Sequence, residues 1–344
     1  MSMKRFSLVA LFSFVTLIGC SSESNSTAPE GTPSVELLNV SYDPTRELWK
    51  DINAEFEKVA VAQTGKAVTI KQSHGASGSQ ARAVIDGLDA DVVSLALWSD
   101  TEQLHKKGLL KDGWIDAFPN RSLPYTSTIV FVVRKGNPKG VKEWADLVRN
   151  DIQVITPNPK TSGNGKLAFL AAWGSVLKNG GTEEDARKYI TQLYKQVPVL
   201  DTGARGATTT FAQKGIGDVH LTWENEAHLE IKEANGELDL IYPSQSILAE
   251  PHVALVDQVV DRKGTRDVVK KYLEFLYTPE GQAIIAKHFY RPTDAKVLEA
   301  HKASFPDLKL FPVTDVCGGW DEAQTTFFAD GGEFDRIYEG GQNK

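Results

Sequence analysis

Short apolar runs alternate with amphipathic stretches along most of the chain. Residues 35–41 (VELLNVS) form an apolar run typical of a β-strand, and Leu48, Ile52, Phe56 and Val59 then recur at helical spacing. The residues after this predicted helix repeat the same order of strand, loop and helix. Alternating strands and helices predict an α/β fold built around a mostly parallel sheet.

A second series of alternating elements predicts a second lobe. The apolar run at residues 128–134 (TIVFVVR) ends in a polar turn, after which the alternation restarts, and a further apolar run at residues 247–255 returns the chain. We therefore expect two lobes, each a central β-sheet flanked by helices, joined by two crossing strands. The pattern assigns residues 34–130 and 250–344 to lobe I, with 307–344 as its peripheral tail, and residues 131–249 to lobe II.

The N-terminus is typical of an exported lipoprotein. A basic pair precedes an apolar run at residues 6–18, which is too short for a comfortable membrane span and predicts a secretory signal peptide over residues 1–19. The run ends in Leu-Ile-Gly-Cys, which is similar to the bacterial lipobox and predicts lipidation of Cys20. Residues 20–33 are rich in Ser, Glu, Asn and Pro, and predict a flexible tether that reaches about 20 Å.

The net charge limits the classes of binding partner, and the cysteine content limits the covalent contributions to stability. The 344 residues contain 38 Lys and Arg against 45 Asp and Glu, and loss of Lys4 and Arg5 changes the formal net charge from −7 to about −9. This balance argues against a nucleic acid partner, but not against an anion, because backbone dipoles bind anions locally whatever the net charge. Cys317 has no partner once Cys20 carries lipid, so no intramolecular disulfide is expected.

Residues 158–165 (NPKTSGNG) form a polar, turn-rich stretch between an apolar run and a helical pattern that begins at Lys166. Pro, Gly and Asn break the strand and leave backbone N–H groups free at a helix N-terminus, where the helix dipole favours an anion. An ordinary capped turn is the structural alternative. A nucleotide P-loop is excluded because Leu167 follows Lys166 where Ser or Thr is required, and Lys160 occupies the position of the first Gly.

Other chemistry-bearing residues do not form a recognisable catalytic or metal-binding set. Ser77 lies one residue short of a nucleophile elbow, because position 79 is Ser where the second Gly is required. His74, His220 and His252 have no paired His or Cys at ligand spacing, so neither a metal nor a cofactor is expected.

These stretches together resemble the periplasmic sulfate-binding proteins, which are the soluble receptors of sulfate and thiosulfate ABC importers. The resemblance extends over nearly the whole mature chain. It rests on residues 37–48 (LLNVSYDPTREL), 72–75 (QSHG), 158–163 (NPKTSG), 201–206 (DTGARG), 223–227 (WENEA) and 289–292 (FYRP). It implies the two-lobed type II periplasmic binding protein fold and a buried sulfate held without any cationic side chain.

The resemblance also implies the individual ligand donors. The amides of Asp43 and Ser77 would come from lobe I. Lobe II would supply the Ser162 hydroxyl, the amides of Gly163, Asn164 and Ala204, and the indole N–H of Trp223. The chain departs from the family pattern at residues 164–166, where Asn-Gly-Lys replaces a small residue, Ala and Arg, and this leaves the choice between sulfate and thiosulfate open.

The expected function is therefore a lipid-anchored extracytoplasmic receptor, a monomer that closes two lobes on sulfate and delivers it to a membrane permease without catalysing a reaction. One alternative is a binding protein for another oxyanion such as thiosulfate, molybdate or phosphate. A second alternative, from a different class, is an exported serine hydrolase that uses Ser77 or Ser162.

Overall fold

The computed structural model describes residues 31–342, so the predicted signal peptide, Cys20 and most of the predicted tether lie outside the described residues. Within the described part of the chain, no helix combines the length and the apolar character that a membrane crossing requires.

The elements follow one another in the alternating order that the sequence predicts. The first are β1 (Ser34–Tyr42), α1 (Arg46–Thr64), β2 (Ala67–Gly75), α2 (Ser77–Ile85), β3 (Val92–Ser94), α3 (Trp98–Lys106), α4 (Pro119–Ser122) and β4 (Tyr125–Thr126). Next come β5 (Ile129–Arg134), β6 (Val154–Ile155), α5 (Gly163–Lys178), α6 (Glu183–Lys195), α7 (Ala204–Thr208), β7 (Val219–Trp223), α8 (Glu224–Glu233), β8 (Leu238–Ile241) and β9 (Gln245–Ile247). The last are β10 (Val253–Leu255), α9 (Asp257–Lys263), α10 (Arg266–Phe275), α11 (Pro279–Lys287), β11 (Arg291–Pro292), α12 (Ala295–Ala300), β12 (Lys309–Phe311), α13 (Trp320–Ala323) and α14 (Glu333–Gln342).

Short helical turns complete the inventory. Turns of 3₁₀ type lie at Asp43–Thr45, Trp114–Asp116, Trp144–Val148 and Val313–Asp315, and π-helical turns at Thr209–Gln213 and Gln324–Phe328 extend α7 and α13.

The first sheet has the strand order β10-β3-β1-β2, in which β1 runs parallel to both of its neighbours and β10 is antiparallel to β3. The apolar positions at helical spacing in α1 are its buried face, because Leu48, Ile52 and Phe56 lie in the core beneath this sheet. The Phe56 ring lies 5.2 Å from the ring of Tyr272 on α10. This packing explains why the period of the sequence pattern matches a helix.

The second sheet has the order β6-β7-β5-β8, and β5 is antiparallel to both β7 and β8. Helix α5 is buried along most of its length, which accounts for its apolar character on nearly every side. Two segments connect the sheets, and they pair with each other where Ser127 and Ala249 exchange backbone hydrogen bonds of 3.0 and 2.9 Å.

The lobe boundary predicted between residues 130 and 131 falls inside β5. All of β5 belongs to the second sheet, because its residues from Ile129 to Val133 pair with Trp223 to Val219 of β7. The change of lobe therefore lies before β5, next to the bridge at Ser127.

The assignment of residues 307–344 to the first lobe is wrong for the described part of this segment. Strand β12 pairs with β9, and the aromatic residues that follow it pack on α5 of the second lobe. Phe327 lies 5.0 Å from Trp173, and Phe328 lies 5.4 Å from Phe169, measured between ring centroids. Burial of these rings against α5 removes a large apolar area from water, which fixes the segment there.

Candidate anion-binding site

The seven predicted ligand groups lie around one small cavity between the two sheets. Asp43, Pro44, Ser77 and Ala96 line it from the first lobe, and Ser162, Gly163, Asn164, Ala204 and Trp223 line it from the second. The cavity has a volume of about 10 Å³, which is room for roughly one water-sized sphere. The residues that the sequence nominated from distant stretches therefore share one location.

The five predicted amide donors occupy the first turns of four helices. Asp43 is the first residue of a 3₁₀ turn, and Ser77 and Ala204 are the first residues of α2 and α7. Gly163 and Asn164 are the first two residues of α5. Backbone N–H groups in a first turn have no intrahelical acceptor, and each dipole adds partial positive charge at its N-terminus.

Local sequence determines where these helices start. Pro44 follows Asp43 at the second position of the 3₁₀ turn, where its missing N–H costs nothing. Ala76 and Gly203 are extended and precede α2 and α7. Helix α2 thus begins at Ser77, and this places the Ser77 amide at the helix N-terminus.

Ser162 is the N-cap of α5, and its hydroxyl oxygen accepts a hydrogen bond from the Gly165 amide at 3.4 Å. Because that bond uses an oxygen lone pair, the hydroxyl proton stays available for a ligand. Trp223 is fully buried at the end of β7, with its ring 5.3 Å from Tyr42. Its indole lines the cavity, and an indole nitrogen is a donor only.

Asn164 has a structural role that the sequence did not predict. Its side-chain amide donates to the Leu221 carbonyl oxygen at 3.0 Å, which links the start of α5 to the strand that carries Trp223. Its carbonyl oxygen is buried and has no hydrogen-bond partner among the described residues. The side chain therefore holds the two donor-bearing elements together, beyond the amide that its backbone offers.

The chain is similar to known solute-binding proteins over most of its length. The sequence model named bacterial extracellular solute-binding protein matches residues 37–291. The sulfate-binding protein of Escherichia coli is 51% identical over 305 residues, which cover 88% of this chain and 93% of that protein. The chain belongs to this family of solute-binding proteins.

Further relatives agree with this assignment. The thiosulfate-binding protein of Pseudomonas aeruginosa is 49% identical over 304 residues, which cover 88% of this chain and 92% of that protein. Among solved structures, the sulfate-binding protein SubI from Mycobacterium tuberculosis aligns with a TM-score of 0.77 and 31% identity, over 85% of this chain and 99% of that chain. The predicted type II periplasmic binding protein fold is confirmed, and the solute-binding protein is not an enzyme.

The cations near the cavity of this binding protein are held by carboxylates. Lys160 forms ion pairs with Asp335 at 2.9 Å and with Asp330 at 3.0 Å, both from the C-terminal segment. Arg205 lies 3.2 Å from Glu226 and 3.3 Å from Glu47. Since both cations are already paired with carboxylates, a bound anion relies on backbone and neutral donors.

The serine hydrolase alternative lacks a base. The Ser77 hydroxyl donates to the Asp100 carboxylate and accepts from the Ala96 amide at 3.0 Å, so it anchors the start of α2. The nearby His74 bonds to Ser41 and Gln72 through its two ring nitrogens, and it does not bond to either candidate serine. Nucleophilic serine requires an adjacent base, which this arrangement does not provide.

The contact between Ser77 and Asp100 was not predicted from the sequence. The two residues are separated by 23 positions, and no local motif joins them. A hydroxyl donor to a buried carboxylate is recognisable only once β3 and α3 are placed beside α2.

Arg205 also links the two lobes, because Glu47 lies on α1 and Glu226 lies on α8. Burial raises the pKa of the Glu226 carboxyl to about 7, against an opposing effect of Arg205. Glu47, Glu230 and Asp43 add to the rise because they carry like charge. The carboxylate of Glu226 therefore titrates near neutral pH in the folded protein.

Glu226→Gln is expected to flatten the pH dependence of stability. The pKa of Glu226 rises from an ordinary value of 4.5 to about 7 on folding. The folded chain therefore binds more protons between these values, and the wild-type free energy of unfolding falls as pH rises through this window. Urea unfolding across the window should show a decline of a few kcal/mol in wild type relative to the variant. Parallel profiles for the two proteins would contradict the raised pKa.

Proposed function

We propose that this protein is an extracytoplasmic receptor that binds sulfate between its lobes and delivers it to an ABC-type sulfate importer. The observation that carries the proposal is the convergence of four helix N-termini, a capping hydroxyl and an indole N–H on one buried cavity. Such a set of donors suits a fully ionised oxyanion. The names of the relatives, which bind sulfate or thiosulfate, support the same class of ligand.

The energetics are sufficient for tight binding. Hydrogen bonds to a charged acceptor contribute about 1.5–3 kcal/mol each, so seven of them give a gross gain of roughly 10–20 kcal/mol. Lost motion and imperfect desolvation subtract from this gain. A micromolar dissociation constant corresponds to a binding free energy of only about −8 kcal/mol. The gross gain from seven donors reaches this value even after the costs of lost motion and desolvation.

Thiosulfate is the second candidate ligand, because the chain is 49% identical to a thiosulfate-binding protein. Thiosulfate replaces one oxygen of sulfate by a larger sulfur. Sulfur is also the weaker acceptor for the N–H donors. We expect sulfate to bind more tightly than thiosulfate.

Calorimetry on desalted protein tests this function directly, with sulfate, thiosulfate, molybdate and phosphate as ligands. Ser162→Ala should weaken sulfate binding by about tenfold or more, because one donor to a charged ligand is lost. Ser79→Ala is the matched control, since Ser79 is exposed on α2 and does not line the cavity. Absence of sulfate binding to the wild-type protein, or equal affinities for the two serine variants, would refute the proposal.

We further propose that the receptor is a monomer anchored by lipid at Cys20, a position that lies outside the described residues. The support is the similarity of residues 17–20 to a lipobox and the composition of the predicted tether. The lipid would keep the receptor at the membrane surface, where the permease resides.

Cys20→Ala is expected to convert the membrane-bound form into an uncleaved or soluble form. Sulfate affinity should change little, because Cys20 precedes β1 in sequence and is not one of the proposed sulfate donors. Fractionation without detergent, followed by calorimetry on both forms, measures the two properties. Wild-type mature protein that is fully soluble would disprove the lipid anchor.

A further inference from the structure

A second and larger cavity lies away from the anion site. Its volume is about 300 Å³, and its walls come from two regions that the fold brings together. One wall contains Trp98, Arg121 and the crossing residues Glu250 and His252, and the other contains Trp320 of the C-terminal segment. Cavities of this size at junctions between domains, with aromatic walls and a few polar groups, are typical of small-molecule sites.

The two opposite charges in this cavity are not neutralised by direct contacts. The exposed Arg121 guanidinium and the half-buried Glu250 carboxylate form no hydrogen bond and no ion pair within 4 Å among the described residues. Burial raises the pKa of Glu250, whereas the charge of Arg121 opposes that rise. Asp321 at the rim is already paired with Lys106 at 2.8 Å. The cavity therefore offers one available cation and one available carboxylate.

A buried imidazole adds a further unsatisfied group. His252 is 5% exposed, and its Nδ1 atom has no hydrogen-bond partner in residues 31–342. The ring packs edge-on against Trp114 at 5.8 Å, which fixes its orientation. Burial lowers the pKa of His252 to about 4, so the ring is neutral at physiological pH. His252 Nδ1 is one of several buried polar atoms without a partner among the described residues, and its ring adds a neutral polar group to the cavity wall.

The backbone beneath Arg121 is also unusual. Asn120, Arg121 and Ser122 have φ values of 52°, 58° and 57°, a left-handed conformation that costs free energy in residues other than Gly. The Ser122 hydroxyl stabilises the turn through the Phe118 amide and the Trp114 carbonyl, each at 3.2 Å. This turn places Arg121 at the cavity.

We propose that this cavity binds a zwitterionic small molecule with an aromatic body, of the class of aromatic α-amino acids. The ligand carboxylate would pair with Arg121 and its ammonium group with Glu250, while the ring would lie between Trp98 and Trp320. A singly charged ligand suits the cavity less well, because it pairs with one of the two charges and leaves the other without a partner. This site is separate from the sulfate site and does not depend on the proposed transport function.

Three matched probes test the charge requirement. Tryptophan carries both charges, indole-3-propionate lacks the ammonium group, and tryptamine lacks the carboxylate. Calorimetry on the mature protein should show tryptophan binding about tenfold or more tightly than either truncated probe. No binding of any probe at millimolar concentration, or equal affinities for the three, would overturn the proposal.

Two variants assign the contacts, and a third controls for loss of surface charge. Arg121→Gln should remove the advantage of tryptophan over tryptamine, and Glu250→Gln its advantage over indole-3-propionate. Arg262→Gln, on an exposed arginine of α9, should leave all three affinities unchanged. Thermal unfolding verifies that each variant is folded. A tryptophan preference that survives both cavity substitutions would contradict the assignment.

Discussion

Gly163→Ala is expected to reduce sulfate affinity by about a hundredfold while leaving the protein folded. A Cβ atom at residue 163 would lie 2.6 Å from the Cβ of Ala96, which belongs to the opposite lobe. Neither atom can rotate away, because both are fixed to the backbone. Overpacking of this kind costs about 1–3 kcal/mol or more, and here it opposes the approach of the two lobes.

Gly163→Ala affects closure of the two lobes without affecting the folding of either lobe. Residue 163 is in a helix and has no left-handed φ, so alanine fits its backbone, and the free lobes relieve the clash by moving apart. Calorimetry with sulfate and thermal unfolding without ligand measure the two effects. Gly78→Ala is the matched control, since a Cβ there meets atoms no closer than 3.9 Å. Unchanged affinity in Gly163→Ala would mean that sulfate does not require this closed arrangement.

Much of the fold follows from periodicity in the sequence. The spacing of Leu48, Ile52 and Phe56 predicts α1 and its buried face, because a helix on a sheet buries one side. The sheet to which β5 belongs was not predictable from periodicity. Its apolar run is compatible with either sheet, and only pairing with β7 and β8, far along the chain, decides between them.

The position of the C-terminal segment depends on contacts that no local pattern encodes. Phe327 and Phe328 meet α5 across more than 150 positions of sequence, at Trp173 and Phe169. Aromatic residues in a segment without clear periodicity predict burial, but they do not specify the surface that buries them. The first-lobe assignment relied on chain order alone and was therefore wrong.

The candidate site was predictable at the level of residues and not at the level of contacts. Motif resemblance nominated Ser162, Asn164 and Trp223, and the structure brings them to one cavity. The bond from the Asn164 side chain to Leu221 was not predicted, because it depends on the distance between α5 and β7. The second cavity around Arg121 was also missed, since its walls are far apart in sequence.

The second prediction concerns selectivity among oxyanions. Sulfate carries no proton near neutral pH and accepts from every proposed donor, whereas hydrogen phosphate brings an O–H group that needs an acceptor. Burying that O–H against a donor costs about 1–3 kcal/mol or more. We expect selenate or chromate to displace sulfate at slightly alkaline pH, and a hundredfold excess of phosphate to fail, with competition calorimetry as the measurement.

Two acceptors near the cavity determine whether this selectivity holds. One oxygen of the Asp43 carboxylate forms an ion pair with Arg46 at 2.7 Å, which directs that oxygen away from the cavity. The buried side-chain carbonyl oxygen of Asn164 has no hydrogen-bond partner in residues 31–342, but the NH2 group of the same side chain donates to the Leu221 carbonyl. Phosphate competing at nearly equal affinity would contradict the donor-only site. Asp43→Ala would then test the carboxylate, because loss of the true acceptor should weaken phosphate binding while leaving sulfate binding intact. Phosphate binding that survives in Asp43→Ala would assign the acceptor to the Asn164 side chain.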